Sequence, residues 1–135
     1  MSYFDQSDNI KVELLDEMAA KTAESFVERD RRNPRRLARG SLSSAQLRRF
    51  FSELRQLEKK VKVMGFDKVK PLIKMVKSKA SYAANPANPK IPASFKSFLI
   101  NNIDEIQTGK DFEAFMLHFE AVVGFFYGIE GAGRN

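Results

Sequence analysis

Apolar residues recur every three or four positions through most of this chain, and no segment alternates apolar and polar residues convincingly over more than four positions. The first period belongs to the α-helix and the second to the half-buried strand, so the pattern predicts an all-α protein. Five helices are expected. The first spans roughly residues 8–28, with Leu14, Leu15, Met18, Ala19, Thr22, Phe26 and Val27 on one face and acidic residues on the other. The second opens at Ser43-Ser44-Ala45-Gln46, which fits a reciprocal capping box between Ser43 and Gln46. Its stripe is Leu47, Phe50, Phe51, Leu54, Leu57, Val61 and Met64, and Gly65 is a natural stop.

The third helix is expected from about Asp67 to Ala84, with Val69, Leu72, Ile73, Val76, Ala80 and Ala83 inward. Pro71 has to sit in or near its first turn, where a missing N–H matters least. Three prolines between Asn85 and Pro92 break the chain before a fourth helix over residues 93–106, which points Phe95, Phe98, Leu99, Ile103 and Ile106 inward. A fifth runs from Lys110 or Asp111 to Tyr127 with Phe112, Phe115, Phe119, Val122 and Phe126 as its stripe. At 135 residues these elements fit one domain, a single five-helix bundle over residues 1–135. Its irregular parts are a mobile basic loop at 29–42 and a flexible tail at 128–135, where three glycines occur.

Charge sharpens this picture. The formal net charge is +6, but residues 29–79 hold 17 Lys/Arg against 4 Asp/Glu, a local +13, and the rest of the chain carries −7. A centre this basic carries a repulsive cost that a polyanionic partner relieves, most often a nucleic acid. Six arginines lie between Arg29 and Gly40, Arg35, Arg36 and Arg39 among them. On a helical wheel of the second helix, Arg48, Arg55 and Lys59 fall along one flank of the apolar stripe and Arg49 along the other. On the third helix Lys74 and Lys77 line the outer face, and Lys79 and Tyr82 lie beside the apolar edge. Guanidinium and ammonium groups suit phosphate oxygens, and a tyrosine between lysines offers a ring on which a base can stack. These eleven residues are the candidate nucleic-acid contacts. They are expected to converge on one continuous strip, and the free N–H groups at the start of the second helix add to it. The bland reading of each cation is a solvated side chain, and that of Tyr82 an edge-of-core ring.

Chemistry is sparse. The chain has no Cys, which excludes disulfides, thiolate metal sites and cysteine nucleophiles. His118 is the single histidine and is expected as a polar side chain at the edge of the fifth helix's packing. There is no metal-ligand cluster, Gly-rich phosphate loop or nucleophile elbow. Neither a catalytic residue nor a metal or cofactor is therefore expected. Residues 1–30 lack an uninterrupted apolar leader, and no run approaches the roughly 18 apolar residues of a membrane span. A soluble, cytoplasmic protein with no membrane partner is expected.

Three stretches carry a resemblance to a known family. They are Leu42-Ser43-Ser44-Ala45-Gln46-Leu47-Arg48-Arg49-Phe50, then Met75-Val76-Lys77-Ser78-Lys79-Ala80-Ser81-Tyr82-Ala83-Ala84, then Phe95 through Phe126 with Phe112-x-x-Phe115-x-x-x-Phe119-Glu120-Ala121-Val122-Val123. In their order and spacing the chain resembles the small subunit of type III-A CRISPR effector (Csm) complexes. It departs from the family's pattern in having Ser78 where Pro is frequent between the two lysines. Asn85-Pro86 stands where Arg is frequent after the Tyr-Ala-Ala, and Lys90 is the nearest replacement.

The resemblance implies a five-helix, non-catalytic subunit of an antiviral ribonucleoprotein, stacked in several copies into an inner filament. Its implied partners are target RNA paired to guide RNA, the repeated backbone subunit, the large signature subunit and copies of itself. RNA is implied to be held by its sugar-phosphate backbone. Arg48, Arg49, Lys77, Lys79 and Tyr82 match the family's positions, whereas Arg55, Lys59 and Lys74 come from the helical reading alone. Two alternatives stand beside this reading. One is a sequence-specific DNA-binding regulator, although no short helix-turn-helix pair appears. The other is a helical adaptor without nucleic-acid contact.

Overall fold

A computed structural model of the chain describes residues 2–133. It is all-α, with helices α1 (Glu17–Glu24), α2 (Ser44–Met64), α3 (Phe66–Ala83), α4 (Ala93–Glu105) and α5 (Gly109–Tyr127), and a 3₁₀ turn at Val12–Leu15. Among the described residues the only extended pairing is two isolated bridges, Phe4 with Ile10 and Arg29 with Leu37. The chain packs α1 on α5, α2 on both α3 and α5, and α3 on α4. No helix is long and apolar enough to cross a membrane.

Phenylalanines join these helices. Phe95 and Phe98 of α4 sit at the centre. Phe95 meets Phe26 edge-on at 5.1 Å between ring centroids and Phe50 of α2 at 5.7 Å. Phe98 meets Phe26 at 5.4 Å and Phe119 of α5 at 5.2 Å. Edge-to-face pairs of this kind stabilise by about 0.5–1.5 kcal/mol each beyond the burial of their area. The expected stripes of α4 and α5 are buried in full. On α2 Leu47, Phe50, Leu54 and Leu57 are buried, Phe51 and Val61 are half-buried, and Met64 at the end is exposed.

The first helix departs most from expectation. In place of a helix over residues 8–28 there is a tight reversal, a 3₁₀ turn and only two turns of α-helix. The side chain of Asp5 accepts from the backbone N–H of Ser7 (2.9 Å) and Asn9 (3.0 Å), and Asp8 adopts φ +64°. Short polar side chains that bond nearby backbone compete with a helix, and Asp5, Ser7, Asp8 and Asn9 do so together. The reversal places Tyr3 in the core, its hydroxyl donating to Asn102 at 3.0 Å. Burial pushes that phenol well above its ordinary range. Leu15 and Met18, expected inward, are exposed.

Local signals elsewhere divide. Ser43 caps α2 by accepting from the Gln46 N–H at 3.2 Å, but Gln46 does not return the bond and its Oε1 is buried without a partner. The complete capping box is Thr108–Asp111 at the start of α5. Pro71 is the sixth residue of α3, just past the first turn, and leaves the Asp67 carbonyl without its i+4 donor. His118 lies inside the core rather than at its edge, with Nδ1 2.5 Å from the Leu14 carbonyl. The expected tail forms turns through Gly133, and Arg134 and Asn135 lie outside the described residues.

Two predictions test this packing. Phe95→Ala removes a fully buried ring shared by four others and should destabilise by about 3–5 kcal/mol in urea denaturation. For His118, burial holds the imidazole below its ordinary value, ahead of the opposing effect of the Leu14 hydrogen bond. The unfolded chain therefore takes up a proton near pH 6.5 that the folded site resists, so stability is present above that pH and falls below it. The slope should approach at most about 1.4 kcal/mol per pH unit, and thermal melts of His118→Gln between pH 7.5 and pH 5.5, a range of about two units, should lose it.

Candidate nucleic-acid interface

The basic loop folds on itself. Asp30 and Ala38 donate backbone bonds to Arg36 (3.0 Å) and Glu28 (2.7 Å), and Leu42 donates to the Phe26 carbonyl at 2.9 Å. Buried Phe26 and Leu42 thus pin its two ends to the core. Between them Arg31, Arg32, Arg35, Arg36 and Arg39 are exposed and make no ion pair among the described residues. Arg35, Arg36 and Arg39 line an open cleft of about 520 Å³ closed on its far side by Gly131. Arg29 is held elsewhere, donating to the Glu130 carbonyl at 2.5 Å.

A second cleft, about 500 Å³, lies between α2 and α3. Its lining includes Arg49 and Glu53 of α2, Ser78, Lys79 and Tyr82 of α3, and Lys90. The Lys90 N–H donates to the Ala83 carbonyl at 2.7 Å, which folds the proline-rich segment back onto the end of α3 and delivers this lysine to the cleft. Two residues later, Pro92 and Ser94 share a smaller cleft with Arg39, Gly40 and Ser41 of the loop. The segment from Lys90 to Ser94 therefore connects the arginine loop to the α2/α3 cleft, and the start of α2, the end of α3 and the loop form one basic end of the bundle.

The other expected contacts are used inside the protein. Lys74 donates to the Ile103 carbonyl at 2.7 Å, Lys70 to the Gln107 carbonyl at 3.2 Å, and Lys77 pairs with Asp104 at 2.5 Å. The acceptors are at or just beyond the C-terminal end of α4, whose last turn has no basic residue of its own. Lysines of α3 thus supply positive charge to the negative end of a neighbouring helix, Lys74 on a main-chain carbonyl and Lys77 on a carboxylate. Burial, then the neighbouring Lys77 and Lys70, lower the Lys74 ammonium, and the Lys77 hydrogen bond lowers the Asp104 carboxyl. Arg55 stacks on Phe51 at 4.8 Å and pairs with Glu58 (2.8 Å) and with Glu120 of α5, which raise its guanidinium. Lys79 pairs with Glu53 within the α2/α3 cleft.

The expected continuous strip is accordingly divided. Arg49, Lys79 and Tyr82 come together with Lys90, and the loop arginines adjoin them. Lys74 and Lys77 face α4. Arg55 faces α5, and by helical register Arg48 and Lys59 share its flank, both exposed and without an ion pair among the described residues. A helical wheel treats each helix alone and cannot show that another helix end covers the outer lysines of α3. The absence of a basic residue from the last turn of α4 is the sequence signal for that.

No curated protein and no solved structure matches the chain. The family model described as Csm2 Type III-A matches residues 11–129 of the 135, a span that includes every candidate contact. The chain belongs to the Csm2 family and is a small subunit of a type III-A CRISPR Csm complex.

Proposed function

We propose that this subunit clamps RNA by its sugar-phosphate backbone at the basic end of the bundle, and does no chemistry of its own. Csm2 is a structural small-subunit family that assembles with the other subunits of the complex. The observation that carries the reading is the set of cations left open at one end. Arg35, Arg36, Arg39 and Arg49 have no carboxylate partner among the described residues, and Lys90 is exposed beside them. Lys70, Lys74, Lys77 and Arg55 are held by acids or carbonyls, whereas Arg48 and Lys59 stay open on the flank of α2. The open cations of the basic end are grouped around two connected clefts, as a phosphate chain requires. Such contacts fix position without reading sequence, which suits a complex whose specificity comes from guide pairing.

The bound strand in this reading is target RNA paired to guide RNA. Stacking of copies beside the repeated backbone subunit has support in exposed apolar side chains, Val12, Val63 and Phe125 among them. With the family shown, a DNA-binding regulator has no observation in its favour.

The test is RNA capture by the assembled complex over a salt series. Replacing Arg39, Arg49, Lys79 and Lys90 together by Ala should weaken capture and flatten the dependence of log K on log salt, by about 0.7 for each phosphate contact removed. Lys74→Met should lower thermal stability instead and leave the salt slope as it was. If assembly and capture are both indifferent to the four-residue change, the chain is an adaptor without nucleic-acid contact.

A further inference from the structure

The α2/α3 cleft differs from the arginine loop in two respects. Its lining holds a carboxylate, Glu53, and an aromatic ring, Tyr82. Tyr82 is 75% exposed and enters no ring contact or hydrogen bond of its side chain among the described residues. It stands three residues from Lys79, hence on the same side of α3. Arg49 and Glu53, four residues apart, share the facing side of α2. Glu53 pairs with Lys79, and both side chains are partly open to solvent, at 29% and 46%. The cleft thus holds a bare ring, two cations without ion pairs (Arg49 and Lys90) and one cation occupied by an internal acid.

We propose that this cleft seats one unstacked nucleotide of the bound RNA, its base lying on the Tyr82 ring and its phosphate taking the place of Glu53 beside Lys79. The proposal rests on the RNA reading above and adds a selection to it. A solvent-exposed ion pair is weak, so a phosphodiester can displace it. The released Glu53 carboxylate then stays near the incoming phosphate and opposes it. An anion that brings charge alone gains little from the exchange. A nucleotide also brings a base, whose stacking on an aromatic ring does not depend on its identity. A fully paired duplex keeps its bases stacked internally and offers only phosphates. Glu53 and Tyr82 together therefore favour an unpaired nucleotide over both a duplex and a plain polyanion.

The experiment uses the full-length protein and a short oligouridylate with one central aminopurine, whose fluorescence falls when it stacks. Wild type and Tyr82→Phe should quench the probe on binding. Tyr82→Leu should abolish the quench and weaken binding by about 5- to 150-fold. Glu53→Gln should tighten binding by about two- to fivefold in low salt, the gain shrinking as salt rises. It should also let inorganic polyphosphate compete better than it does against wild type. Salt-sensitive binding that is indifferent to Tyr82→Leu overturns the nucleotide seat and leaves the backbone clamp standing. Displacement of the probe by poly-glutamate as readily as by oligouridylate makes the cleft a site for acidic peptide and also overturns it. Absence of salt-sensitive RNA binding by wild type fails the clamp itself, a distinct result because it appears before any variant is compared.

Discussion

The arrangement of this subunit depends on the packing of Phe26, Phe50, Phe95 and Phe98 against one another. Each ring belongs to a segment that delivers part of the basic end. Phe26 closes the stretch after α1, and its carbonyl receives the returning end of the arginine loop at Leu42. Phe50 follows Arg49 on α2, and Phe95 lies one turn into α4, just beyond the segment that presents Lys90. Packing Phe50 on Phe95 at 5.7 Å brings the start of α2 and the start of α4 together. Packing Phe26 on Phe95 at 5.1 Å brings the loop to the same place. The cations repel one another, and apolar burial holds them together. Burial is not directional, but ring-on-ring geometry is, which turns general collapse into a defined placement of charge.

A second constraint decides which cations remain open. Every helix ends with carbonyls that lack intrahelical partners. The ending of α4 has no basic residue in its last turn, so Lys70, Lys74 and Lys77 of α3 are drawn to it. The opposite end of α3 faces α2, where Glu53 is the one acid lining the cleft. Charge is thus sorted in part by the termini of neighbouring helices: Lys70, Lys74 and Lys77 are engaged beside the end of α4, while other cations of residues 29–79 stay exposed, Arg49, Lys59 and the loop arginines among them.

Much of this was legible in the sequence, and the failures share a cause. Helices α2, α4 and α5 follow from spacing alone because their stripes are long, apolar and free of turn formers. The first helix does not, because Leu14, Met18 and Ala19 carry the right period while Asp5, Ser7, Asp8 and Asn9 offer the backbone other partners. Thr108-x-x-Asp111 is as clear a capping signal as Ser43-x-x-Gln46 and is the one that forms in full. The Asp111 carboxylate accepts from the Thr108 N–H, whereas the Gln46 Oε1 is buried without a partner. Among the candidate residues, helical register on their own helices already singled out Arg49, Lys79 and Tyr82, which the fold brings to one cleft. Lys90 was visible only as a replacement for a missing Arg, and the diversion of Lys74 and Lys77 needed α4 in place. Periodicity reports which face of a helix is buried. It is silent on which helix end lies against the polar face.

The diversion of part of the basic centre into the fold bears on how the proposed clamp would work. Under that proposal a limited set of phosphate contacts, one of them contested by Glu53, would give weak and salt-sensitive binding when the chain is alone. In an assembly the same contacts act on a strand already held by other subunits, so each engages at a high effective concentration, and several weak sites combine without any one becoming strong. Weakness per site is then useful. A subunit with the full +13 of its centre exposed would hold any polyanion at low salt, whereas under the proposed clamp one that spends Lys70, Lys74, Lys77 and Arg55 on its own fold would hold RNA only where the assembly presents it. On that proposal the internal ion pairs, which from the chain alone look like lost binding capacity, would limit binding to the strand the complex has selected.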